Sequence, residues 1–114
     1  MESIEIKIAK DFSYTPGPRY IDEGEDSGEK FRKNILACVF KKAINENKKV
    51  IVDLDGTDGY GTSFLEESFG GLIRNDGIKY NEIIDRLEII SNEEEYLKDD
   101  VFEYLKDAHN EISN

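Results

Sequence analysis

A chain of 114 residues has room for one modest hydrophobic core, and so for one domain spanning residues 1–114. Its 26 acidic residues outnumber the 15 basic ones, and the net charge of -11 repels phosphate backbones and anionic lipid headgroups, with no basic patch to override it. The single cysteine excludes an intramolecular disulfide framework and a multi-cysteine zinc site, and without a charged-then-apolar leader or a long apolar span the chain is expected to be soluble and cytoplasmic, with no nucleic-acid or membrane partner.

Along the chain, Ser3 to Ala9 alternates apolar and polar residues and predicts a half-buried strand. Asp11 to Gly28 is rich in Pro, Gly and acids and reads as loop, with a short strand about Arg19 to Asp22. Asp26 and Glu29 have capping-box spacing. Phe31, Ile35, Leu36, Val39, Phe40, Ala43 and Ile44 then mark the apolar face of a first long helix. Cys38, among these residues, is expected to be a small buried core residue, and Arg19 and Arg32 to make surface ion pairs with the acidic loop.

Lys49 to Asp55 is dominated by β-branched residues without alternation, which predicts a central strand buried on both faces. After the tight loop GTDGYG, Ser63 and Glu66 have capping-box spacing, and Phe64, Leu65, Phe69, Leu72 and Ile73 mark the inward face of a second helix. Gly70 and Gly71, unfavourable in a helix, imply a close backbone approach to the sheet or an early helix end. A short helix from Tyr80 and a strand at Leu87–Ser91 follow. The last helix opens with Ser91 and Glu94 and carries Tyr96, Leu97, Val101, Tyr104, Leu105, Ala108 and Ile112 at helical intervals. His109 there is expected to be solvated. The order of elements predicts an α/β fold, a mixed β-sheet with parallel crossovers and packed helices.

The stretch VIVDLDGT, Val50 to Thr57, resembles the first motif of the haloacid dehalogenase superfamily, in which such aspartates serve as nucleophile and general acid on a phosphate ester. That chemistry also needs a downstream Ser or Thr, a Lys and later magnesium ligands, each delivered from a further strand end. After Asp55 the chain offers one more strand, and Asp99-Asp100 falls within the last helix, so the set is incomplete. A calcium loop fails because Asp58 stands where the turn glycine belongs and Phe64 where the last carboxylate belongs. The glycine loop DGYGTS runs into a helix start and would suit an anion, yet it lacks the P-loop lysine. A phosphate- or nucleotide-handling protein using Asp53 and Asp55 with magnesium stays as the alternative reading.

Taken whole, VIVDLDGTDGYGTSFLEESFGGLI is similar to the strand-loop-helix core of STAS domains, the fold of anti-sigma factor antagonists. With SGEKFR (Ser27 to Arg32) and PGPRY (Pro16 to Tyr20), the chain resembles the STAS-like family of bacterial and archaeal proteins of unknown function over roughly residues 3 to 105. The resemblance implies a STAS-like α/β domain that works as a non-enzymatic regulatory or protein-interaction module without a cofactor. The wider kin imply a protein partner, often a histidine-kinase-like ATPase. It also implies that Ser63, with Thr62 before it, stands where an antagonist carries its phosphorylated serine. Gly59, Tyr60, Gly61, Phe64 and Leu65 around it are expected to form an exposed partner-binding surface. Ser63 is equally suited to be a plain helix cap.

Overall fold

The computed structural model describes residues 2–113. Strand β1 (Ser3–Lys7) stops two residues short of the expected end because the Asp11 carboxylate accepts the Lys7 N–H at 2.8 Å and draws the chain into a single turn, α1 (Ile8–Asp11). The following segment is irregular. A 3₁₀ turn at Ile21–Glu23 replaces the short strand expected near Arg19 to Asp22, closed by the Tyr20 N–H donating to Glu23 Oε1 at 2.9 Å.

Helical structure then runs without a break through α2 (Gly28–Phe31), a π-helical turn (Arg32–Leu36) and α3 (Ala37–Glu46), which ends at Asn47 in the left-handed region. The cap is Ser27, whose Oγ accepts the Lys30 N–H at 3.0 Å, one residue later than the expected Asp26. Asp26 instead takes a left-handed φ of 53° and accepts the Ser13 hydroxyl at 2.8 Å. Cys38 is exposed rather than buried: two residues from both Leu36 and Phe40, it lies across the helix from the face they bury.

Strand β2 (Lys49–Asp53) leads through a loop into α4 (Thr62–Arg74), and α5 (Tyr80–Ile84), β3 (Leu87–Ile90) and α6 (Tyr96–Ser113) complete the chain. Neither of the two later capping boxes forms. The N-cap of α4 is Gly61, without a side-chain cap, and Glu66 turns to arginines instead. The Ser91 hydroxyl donates to the Glu94 carbonyl at 2.7 Å in a turn that delays α6 until Tyr96.

The three strands form one sheet in the order β1-β2-β3, with β2 central as expected. Both pairings are parallel, so the sheet is not mixed: each connection between neighbouring strands crosses over through helix. Burial alternates along the strands. Ile6, Val50, Val52, Leu87 and Ile89 are buried on the face that meets the core, while Glu5, Lys49 and Glu88 are exposed on the other. β2 is therefore buried on one face, not two, with Ile51 and Asp53 only half-buried on the second.

Phe31, Phe40, Val52, Phe69 and Leu105 enter one core, and Ile35 packs against it. Helix α4 is its centre, buried on almost every side from Phe64 to Ile73. Phe31 and Phe64 stack at 5.9 Å, with Phe12 and Tyr60 closing around them. Each buried Phe contributes about 1.5–3 kcal/mol of transfer free energy. No helix among the described residues is long and apolar enough to cross a membrane.

Candidate functional site

In parallel α/β sheets, ligands and partners meet the loops beyond the carboxyl ends of the strands. Here those ends bring together Lys7, the Asp53–Gly61 loop and the turn after β3. Asp53 Oδ1 accepts the Asp55 N–H at 2.9 Å, an Asx turn that bends the chain out of the strand, while Oδ2 faces Lys7 Nζ at 3.4 Å. Asp55 reaches across to the turn after β3 and accepts N–H bonds from Glu93 at 2.9 Å and Asn92 at 3.1 Å. Glu93 Oε1 returns the tie by accepting the Gly56 N–H at 2.8 Å. The amide of Glu93, then that of Asn92, holds the Asp55 carboxyl below the usual range against the opposing effect of burial. Both aspartates thus brace loops, and among the described residues no group of three or more His, Cys, Asp or Glu is arranged to hold a metal ion.

The loop itself is tightly built. Gly56 and Gly59 have φ of 93° and 130°, where a side chain would be strained. Thr57 Oγ1 accepts the Gly59 N–H at 3.2 Å, and the Asp58 N–H donates to the Tyr14 carbonyl at 3.0 Å, tying this loop to the long one before α2. The Tyr60 hydroxyl donates to the Leu54 carbonyl at 2.8 Å while its ring leans on Phe64 at 5.8 Å. Burial, with Asp53 and Asp55 adding, pushes its phenol well above the usual value.

Of the expected surface residues, Gly61, Thr62 and Ser63 are exposed, and Gly59 and Tyr60 are half-buried. Phe64 and Leu65 do not belong to this surface: at 0% and 1% exposure both lie in the core, because they are the first inward positions of α4. Ser63, one residue inside the helix, caps nothing, and the first turn of α4 holds no acidic side chain. Among the described residues no side chain accepts from its N-terminal N–H groups, in a chain rich in carboxylates.

A six-residue ion cluster along the body and C-terminal end of α4 was not foreseen. Arg32 is 2% exposed rather than a surface residue, and it donates to Glu67 at 3.0 Å and Asp76 at 2.8 Å. Glu66 receives a two-pronged contact from Arg74 and a third bond from Arg19. Burial opposes its ionisation, but the hydrogen bonds from Arg74 and Arg19 outweigh it and hold the carboxyl below its usual range. The Gly70-Gly71 pair serves this cluster. A Cβ on Gly71 would collide with Arg32, and one on Gly70 would stand 2.5 Å from Glu66 Oε2, so the close approach is to charged side chains and not to the sheet. Arg32 precedes Leu36 by four residues and so shares its buried face, which is the signal in the sequence that marks it.

No curated protein and no solved structure matches the chain. Residues 27–97, more than half of it, match the family described as STAS-like domain of unknown function (DUF4325). That stretch holds α2 through β3, with the ion cluster's Arg32, Glu66, Glu67, Arg74 and Asp76 and the whole loop after β2. The chain belongs to this STAS-like family.

Proposed function

We propose that this protein is a non-enzymatic regulatory module whose partner docks on the loop and helix start from Gly59 to Ser63, and that phosphorylation of Ser63, or of Thr62, controls the docking. One observation carries the reading: two exposed hydroxyls stand side by side on the first turn of α4, where neither a side-chain cap nor an acidic residue occupies the helix N-terminus. A phosphoryl group there adds about 1.5–2 negative charges and meets the favourable end of the helix dipole, so the modified form keeps its fold while an uncharged surface becomes strongly negative. Phe64 and Leu65 anchor the helix start in the core and make the surface rigid. The partner class that fits is a histidine-kinase-like ATPase, which would both dock on the module and phosphorylate it. Aspartates already committed to loop bracing argue against the phosphate-handling alternative.

The test is to incubate the protein with a histidine-kinase-like ATPase and ATP, and to locate phosphate by mass spectrometry. Pull-downs with Ser63→Asp and Ser63→Ala accompany it. The expected result is phosphate on Ser63 or Thr62, weakened binding by the aspartate form and unchanged binding by the alanine form, all with wild-type circular dichroism. Equal binding by all three forms refutes the switch.

A further inference from the structure

The segment from Asn92 to Ser113 holds eight carboxylates and two lysines, more than half of the net charge of the chain. Elsewhere cations are absorbed in pairs such as Lys7–Asp53, Lys33–Glu29 and Arg86–Glu82, whereas no carboxylate of α6 has an ion-pair partner among the described residues. Asp99, Glu103 and Asp107 recur every fourth residue and so stand in one row along the helix. Like charges at this spacing work against the helix.

Beside the row lies a shallow groove of about 520 Å³ between α5 and α6, lined by Tyr80, Phe102 and Lys106 together with the three acids. Tyr80 also lines a neighbouring, more apolar cavity of about 300 Å³, together with Ile73, Ile78, Lys79, His109 and Ile112. Tyr80 and His109 stack at 4.7 Å with an interplanar angle of 9° and make a flat wall there, so His109 is not the free solvated residue expected from the sequence. Ile112 stands 59% exposed at the mouth. A purely solvating helix face needs neither this wall nor the exposed isoleucine.

We propose that this face docks a basic amphipathic segment of a partner protein, with lysines or arginines against Asp99, Glu103 and Asp107 and an apolar side chain in the cavity beside Ile112. Charge complementarity selects the occupant: Asp99, Glu103 and Asp107 outnumber Lys106 along the groove, and Lys79 stands apart from them at the apolar cavity. The apolar cavity beside the groove supplies the anchor point that a docked segment needs. The surface is independent of the Ser63 reading. Phe102 and Tyr104 project from opposite flanks of α6, and Tyr104 is the one that lies by Thr62.

The test is a titration of the full chain, observed by amide NMR, with a synthetic lysine–leucine peptide of helical periodicity. A scrambled peptide of the same composition and a glutamate–leucine peptide serve as controls. Shifts should map to Tyr80, Phe102 and Ile112. Asp99→Asn/Glu103→Gln/Asp107→Asn should weaken binding about tenfold or more while circular dichroism stays that of wild type. Ile112→Ser should weaken it with the charge row intact. Undiminished binding by the triple variant, equal binding of the scrambled peptide, or shifts confined to Gly59–Ser63 would each overturn the proposal.

Discussion

Gly71→Ala puts a methyl group where the guanidinium arm of Arg32 now runs, 2.7 Å from its Cδ and in conflict with its Nε. In an ordinary helix interior the same change is stabilising by about 1 kcal/mol, because alanine loses less conformational entropy. Here the arginine cannot step aside, since it is 2% exposed and fastened at both ends of its guanidinium to Glu67 and Asp76. Overpacking a buried site of this kind costs about 1–3 kcal/mol, which leaves a net loss of up to about 2 kcal/mol. The sign should reverse once the arm is gone. In an Arg32→Ala/Glu67→Gln background, where the glutamine avoids leaving a buried charge without its partner, Gly71→Ala should recover its usual gain of about 1 kcal/mol. Urea denaturation followed by far-ultraviolet circular dichroism measures both, with emission from the six tyrosines as a second probe in a chain without tryptophan. Equal effects of Gly71→Ala in the two backgrounds, within the ~0.5 kcal/mol allowed to independent sites, would refute the claim that the glycine exists to admit the arginine.

Gly28→Ala should also destabilise, by about 1–3 kcal/mol in the same urea experiment, because its Cβ would stand 2.5 Å from the Phe64 carbonyl oxygen, a backbone atom at the core of the α2–α4 contact. Asp55 and Glu66 are both held below their usual pKa, so each stabilises the fold above the ordinary carboxylate range and loses that contribution as pH falls through its folded value. Urea midpoints should accordingly drop below about pH 4, and Asp55→Asn should flatten that acid limb; an unchanged limb would count against the bracing role. Incubated with magnesium and generic phosphomonoesters, the purified protein should show no turnover, because Asp53 is engaged by Lys7 and its own Asx turn. Robust turnover abolished by Asp53→Asn would overturn that reading.

The fold was legible wherever one periodicity held over several turns. Phe31, Phe40, Phe69 and Leu105 were readable as core because apolar residues recur at helical spacing around them, and every one is fully buried. Helix starts were less legible. Asp26, Ser63 and Ser91 all have capping-box spacing, yet Asp26 gives way to Ser27 one residue on, α4 begins without a side-chain cap, and the Ser91 hydroxyl is spent on a turn. The inward face at the start of α4 was legible by its period: Phe64 and Leu65 are buried as the inward positions that the helical spacing marks, and it is their place in the exposed partner surface that fails. Least visible was the ion cluster, because its members come from the loop before α2, the π-helical turn, α4 and the turn after it. Charged residues at those positions read as surface until the fold places them together.

The all-parallel register has a consequence for how the chain assembles. Strand partners such as Ser3 and Lys49, or Val50 and Leu87, lie about forty residues apart, and no hairpin offers a short route to either pairing. Closing such loops is entropically unfavourable until enough apolar contact has formed to offset it. The sheet therefore has no local nucleus of its own. Helix α4 emerges from the ribosome between β2 and β3 and touches α2, the π-helical turn and α6, so the surface around which the strands can gather is helical. Sheet and helices should then form together: on refolding, protection of β1 and β3 amides should not precede protection of α4.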